Sequence, residues 1–249
     1  PGYIRSHVHP EQIDREKGEF VLLPTFRLPT HIHSRSANSK WLAEIAHVNP
    51  VWINREDAAR LGVTTGDCIK IETEIGWFVD RVWATEAVRP GIVACSHHIG
   101  RWRREEDSEQ FGNRWMTNTV RITRPKKGVW RMETAAGVRP FASEDADTQR
   151  IWWRDGGVHQ NITHAVHPDP ISGAHCWLQK VRLARPAADE NYGDVQVDTN
   201  KSQAVFREWN QLAKERETHP DGLRRPLWLG RPLTPQREFF YLDPERTDA

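Results

Sequence analysis

The chain has 249 residues, enough for one domain with extensions or for two small ones. Its apolar fraction of 37% and mean hydropathy of -0.72 are low for a self-sufficient globule of this length, so part of it buries surface against a partner, another domain or a ligand. A net charge of +1, with Lys and Arg mixed among Asp and Glu, excludes a general nucleic-acid binder, and no apolar run approaches the length of a membrane-spanning helix.

Twelve tryptophans argue against disorder, and many adjoin Arg or His, which suits interfaces and ligand clefts. Cys68, Cys95 and Cys176 lie too far apart for a zinc ribbon, an iron–sulfur motif or a disulfide framework. Cys68 and Cys95 read as buried structural thiols. There is no signal peptide and the first residue is Pro, so the chain reads as processed or as a piece of something longer. Its compartment is left open: periplasmic or cytoplasmic, soluble or peripheral to a membrane complex.

Residues 1–18 are polar and read as a linker or arm. Glu19-Phe20-Val21-Leu22-Leu23 is a buried strand ended by Pro24. A polar loop from Arg27 to Ser36 follows. Asn38 to Ala46 reads as a short helix with Trp41, Leu42 and Ile45 on one side. Asn49 to Ile53 is extended, because the residue before Pro50 avoids the helical region. Asn54 caps the next helix, Asp57 places a carboxylate in its first turn, and Gly62 stops it.

Thr64-Thr65-Gly66-Asp67 is a turn. Cys68–Thr73 and Trp77–Thr85 then form a hairpin around Gly76. Further strands are expected at Gly91–Cys95, Asn118–Thr123 and Lys180–Ala184. Residues 124–155 carry many charges without a clear period and read as an insertion. Regular pattern returns at Gly156 to Asn161. Residues 185–249 read as a tail, with an amphipathic helix over Lys201–Glu217 and a Pro-, Gly- and Arg-rich extended end that wraps a partner.

The loop at 30–38 concentrates chemistry: Thr30, His31, His33, Ser34, Arg35, Ser36 and Asn38. A planar, hydrogen-bonding ring with attached phosphates needs such a surface, because hydroxyls and amides read ring edges and Arg forks onto phosphate. An ordinary polar surface loop has the same composition, so the loop alone leaves both readings open. His164, His167, His175 and Cys176 have spacings that suit zinc, yet the Pro168-Asp169-Pro170 turn builds no helix face for them. His97-His98 could deliver a proton or hold a structural hydrogen bond.

Several segments in fixed order resemble the C-terminal domain of the molybdopterin oxidoreductases, the dimethyl sulfoxide reductase family. They are Thr25-Phe26-Arg27, His31 to Ser36, Asn49-Pro50 to Leu61-Gly62, Gly66-Asp67, Val88-Arg89-Pro90-Gly91-Ile92-Val93, His97 to Trp102, Gly157 to Asn161, and Asp169-Pro170-Ile171-Ser172-Gly173. The resemblance covers roughly residues 19–184. It implies a mainly β fold with short helices, a double-psi β-barrel of the aspartate-decarboxylase-like kind, interrupted at 124–155 and followed by the 185–249 tail.

The resemblance also implies a cofactor, molybdopterin guanine dinucleotide with Mo or W. Carried over by position, its contacts are Thr30, His31, His33, Ser34 and Arg35, then His97, His98 and Trp102, then Gln160 and Asn161. Which of the last two holds the family's amide role is open. No catalytic or metal-ligating residue is assigned, because the family places its metal ligand and iron–sulfur cysteines in earlier domains; this chain alone is expected to be inactive. Its implied partners are the remaining domains or catalytic subunit of one enzyme and an iron–sulfur electron-transfer subunit. The loop and the Asp169–Gly173 step look nearest the thiosulfate, polysulfide, sulfite or arsenate branch. A formate dehydrogenase type, or a non-catalytic barrel serving assembly, is the alternative.

Overall fold

The computed structural model describes residues 5–24, 42, 45, 49–97, 102–104, 118–136, 158, 160–168 and 174–217. Ten strands and two α-helices are present among them: β1 Glu19–Leu23, β2 Val51–Ile53, α1 Arg55–Leu61, β3 Cys68–Glu72, β4 Gly76–Ala84, β5 Ile92–Ala94, β6 Trp102–Arg104, β7 Asn118–Lys126, β8 Val129–Ala136, β9 Gln179–Ala184, β10 Val195–Asp198 and α2 Thr199–Glu217.

Six strands close on themselves in the order β1–β9–β3–β4–β2–β5 and back to β1. Two of these pairings, β1 with β5 and β2 with β4, are parallel, and the rest are antiparallel. The chain is therefore mainly β and built on a closed six-stranded barrel, as the sequence led us to expect. Closure removes the sheet edges that would otherwise expose unpaired backbone groups. The interior is aliphatic and aromatic: Leu22, Val51, Ile53, Ile69, Ile71, Phe78, Val82, Val93 and Val181 are all buried there.

β4 holds the architecture together. Trp77–Arg81 pair with β3, Val82–Ala84 pair with β2, and Gly76–Phe78 pair with β10. From β10 an outer sheet continues through β8, β7 and β6. Burial along β4 follows this division. Trp77 to Asp80 are buried on both faces, whereas Arg81, Val82 and Trp83 alternate out, in, out as expected of a strand with one free face. Gly76 is required where β4 meets β10, because a Cβ there would lie 2.0 Å from the Gln196 carbonyl oxygen.

α1 forms as its sequence dictates. Asn54 accepts the Glu56 N–H at 2.9 Å, and Gly62 ends the helix at φ 65°. Asp57 does more than complement the first turn. It is fully buried, accepts the Gly91 N–H at 2.5 Å and pairs with Arg60, so it fastens the helix to the turn before β5.

Two regions gain strands in three dimensions that the sequence did not announce. Residues 124–136 lie in the β7–β8 hairpin, with Arg131 under the shelter of the outer sheet; 137–155 are outside the described residues. The segment after 185 contains β10, which no periodicity announced because only Val195 in it is buried. The helix expected over Lys201–Glu217 is α2, and its Val205 and Trp209 pack on Ile75 and Ala165. The helix expected at Asn38–Ala46 lies outside the described residues apart from Leu42 and Ile45, and so does the extended end beyond Glu217.

Candidate functional site

β1 and β5 run parallel and end together, which brings Pro24 and the Cys95-Ser96-His97 turn to one end of the barrel. The turn is held from several sides. Asn49 accepts the Ser96 N–H at 2.9 Å and donates to its carbonyl. Gln160 donates to the same carbonyl at 2.7 Å. Cys95, fully buried, directs its thiol at an Asp80 carboxylate oxygen 3.5 Å away. Burial first, and the Asp80 charge second, push that thiol well above its usual range, so it is a fixed neutral group.

His97 is pinned through both its N–H and its ring, with Nδ1 2.7 Å from the Pro24 carbonyl. A carbonyl only accepts, so Nδ1 carries the proton of this bond. Asn161 donates to the His97 carbonyl at 3.4 Å. Gln160 and Asn161 sit on one short 3-10 turn, Gln160–Thr163, so both amides meet the 96–97 turn.

Each of these amides has one end satisfied and one not. Gln160 Oε1 and Asn161 Oδ1 are buried acceptors with no hydrogen-bond partner among the described residues. His164 Nδ1 and Nε2 and His175 Nδ1 are in the same condition. Buried orphans of this kind are uncommon and find their partners in ordered water, a ligand or a neighbouring chain. Burial lowers His164 to about 3, with His175 and His97 adding to the shift, and burial lowers His175 as well. His97 and His175 both flank the Trp177 indole, at 5.3 Å and 5.1 Å between ring centroids.

Of the residues singled out from sequence, the structure thus brings together His97, Gln160 and Asn161. Trp102 lies in β6, beside Asn118 of β7, with its side chain outside the description. Thr30, His31, His33, Ser34, Arg35 and His98 lie outside the described residues. Sequence reasoning missed Asn49, which looked like a lead-in to a strand, and Trp177, which follows the His175-Cys176 pair weighed for zinc. Among the described residues no group of three or more His, Cys, Asp or Glu is placed to hold a metal ion. His167 is instead committed to Glu74, 3.0 Å from its Nε2, and stacks on His7 at 3.7 Å.

The sequence profile described as "Molydopterin dinucleotide binding domain" matches residues 21–176, well over half of the chain. The chain belongs to the molybdopterin dinucleotide-binding domain family. Among similar proteins, ArrA, which is the molybdopterin-containing subunit of the arsenate respiratory reductase of Shewanella sp. (strain ANA-3), is 29% identical over 108 residues, covering 40% of this chain and 13% of that protein. A protein of Halobacterium salinarum, provisionally named as the catalytic subunit of a dimethyl sulfoxide reductase, is 32% identical over 74 residues, covering 30% of this chain and 9% of its own. The matches therefore span a small part of these relatives' length. Acetylene hydratase from Pelobacter acetylenicus aligns in space over 41% of this chain and 14% of its own, with 19% identity and a TM-score of 0.34, a likeness too slight to carry an argument.

For a molybdopterin-binding domain, the donor and acceptor set fits the group it is named for. The two unsatisfied amide oxygens offer acceptors to ring N–H groups, and the neighbouring imidazoles and indole offer flat faces.

Proposed function

We propose that this chain is the pterin-dinucleotide-holding portion of a larger molybdenum or tungsten oxidoreductase, and that the barrel end carrying Ser96, His97, Gln160 and Asn161 is where it touches the cofactor. The single observation that carries this placement is the pair of buried, unpartnered amide oxygens on Gln160 and Asn161, set beside the fixed His97 turn. Thr30, His31, His33, Ser34, Arg35, His98 and Trp102 complete the contact set by their place in the family motifs.

When bound, the metal of such a cofactor supplies the electron-pair chemistry and the transfer of an oxygen or sulfur atom. The chain's own part is binding and orientation. Gln160 and Asn161 accept ring N–H bonds and are held for that by their donations to Ser96 and His97. Asn49 and Gln160 fix the Ser96 carbonyl from two sides, so the turn arrives pre-organised. Arg35 would meet phosphate as a fork.

The names of the two relatives, one from an arsenate reductase and one from a dimethyl sulfoxide reductase, favour an oxyanion, sulfur-compound or sulfoxide reductase as the whole enzyme, whose electron partner is an iron–sulfur subunit. The cofactor is the guanine dinucleotide on this reading. The test is to purify the complete enzyme and measure Mo, W and the fluorescence of oxidised pterin. Stoichiometric metal with pterin is expected. Absence of both metals and of pterin refutes the reading and leaves a non-catalytic barrel; formate oxidation in place of oxyanion or sulfur-compound reduction would move the enzyme to the formate branch.

A further inference from the structure

Trp177 is a large apolar side chain left 42% exposed, and it stands one residue beyond the segment matched by the family profile. An exposed tryptophan alone means little. This one stands out through its neighbours and through how firmly its backbone is held.

Two imidazoles adjoin the indole. The His97 ring is tilted 36° to it at 5.3 Å, and the His175 ring meets it edge-on at 68° and 5.1 Å. Asn161 donates to the His97 carbonyl and Gln160 to the Ser96 carbonyl beside it, and each keeps an unsatisfied buried oxygen, as His175 keeps an unsatisfied Nδ1. Gln160 itself is fully buried, so its free acceptor is part of a built site rather than a surface amide.

The backbone beneath Trp177 is fixed on both sides. The Trp177 carbonyl accepts from Gln179 Nε2 at 3.4 Å, and the Leu178 carbonyl accepts from His7 Nε2 at 2.7 Å. Cys176 N–H donates to the His167 carbonyl at 3.3 Å, and His175 bridges Pro168. An aromatic face held on such a support, next to acceptors in want of donors, is what a planar heterocycle with N–H edges requires: stacking from the indole and hydrogen bonds from the amides.

We propose that Trp177 is a stacking platform for a planar ring of the bound pterin dinucleotide, working with the Gln160 and Asn161 oxygens. This rests on the cofactor reading above and adds a residue to it. The proposal separates π-stacking from simple coverage of an apolar patch, because a leucine covers but does not stack.

The experiment compares the complete enzyme carrying Trp177→Ala, Trp177→Leu or Trp177→Phe with the unaltered enzyme. The readout is the rate at which oxidised-pterin fluorescence per polypeptide is lost on dilution and gel filtration, measured on the monodisperse fraction. Stacking on an aromatic side chain is strong enough that Trp177→Ala and Trp177→Leu should release the cofactor about tenfold faster or more, with Trp177→Phe near the unaltered enzyme. Retention unchanged in Trp177→Ala, or restored by Leu as fully as by Phe, overturns the platform. An unaltered enzyme without pterin overturns the cofactor reading instead, so the two failures are told apart by the control. A far-ultraviolet melt guards against misfolding: a half-exposed indole should cost little stability, and if Ala and Leu melt early while Phe does not, Trp177→Tyr and Trp177→Gln decide the matter, with Tyr holding the cofactor and Gln releasing it faster if the platform is real and the two releasing it equally if it is not.

Discussion

Removing the Gln179 side chain tests whether the closing segment is held as described. Gln179 is 1% exposed, its Oε1 accepts the Ala165 N–H at 3.0 Å, and its Nε2 donates to the Ala165 carbonyl at 3.2 Å and the Trp177 carbonyl at 3.4 Å. Ala165 is fully buried, so Gln179→Ala strands one N–H and one C=O away from water. Each such group costs about 1–3 kcal/mol, and water entering the vacated space recovers part of it, so a net loss of about 3 kcal/mol is expected. That is roughly a 160-fold drop in the folding equilibrium constant. Urea denaturation followed by circular dichroism measures it, with Gln179→Leu as a partner that keeps volume but not the bonds. Loss in the leucine variant should match that in alanine to within about 1 kcal/mol, since polar satisfaction and not bulk is at stake. A loss below about 1 kcal/mol in both would refute the assignment of this amide as the clamp on residues 165 and 177.

Other outcomes follow from the same geometry. Burial lowers His7 from 6.5 to about 4 and His164 to about 3, burial lowers His175, and the His167 hydrogen bond lowers Glu74. The unfolded chain then binds more protons, so stability present above about pH 6.5 is lost as pH falls towards 4 and 3, with His164 alone contributing about 2 kcal/mol of loss between pH 7.5 and 5. Urea midpoints across that range read it, and His164→Leu should flatten the slope; a flat profile in the unaltered chain contradicts the burial of these rings. Gly76→Ala drives a Cβ into the backbone of Gln196 and Val197, and about 2–3 kcal/mol should be lost, with amide exchange in Val195–Asp198 quickening first. Exchange that quickens evenly over the chain would count against the tight β4–β10 crossing.

Much of the barrel was legible because its strands carry the signals that strands need. Glu19–Leu23 was bounded by Pro24, the β3–β4 hairpin alternated, and α1 had both a capping Asn54 and a stopping Gly62. β10 was not legible, since a strand buried mainly through its backbone pairing leaves little trace in side-chain pattern. At the site, Gln160 and Asn161 were read from motif order, and geometry adds that each donates to the same turn. Asp57 looked like a helix-start carboxylate, and its second role to Gly91 depends on a contact 34 residues away that no local spacing encodes. Trp177 and Asn49 gain their meaning only from what the fold sets beside them.

The triple pairing of β4 has a mechanical side. Gly76–Phe78 carry β10 and through it the β8–β7 hairpin, while the same strand places Asp80 under Cys95 at the turn that leads to His97. The hairpin is thus rooted in the barrel wall through β10, and its turn is tied back by Thr199, whose N–H and hydroxyl both donate to the Gly128 carbonyl at 2.8 Å. A neighbouring protein that grips this outer sheet would load the very strand that carries Asp80, so its docking would be felt at the Cys95 turn through one continuous backbone.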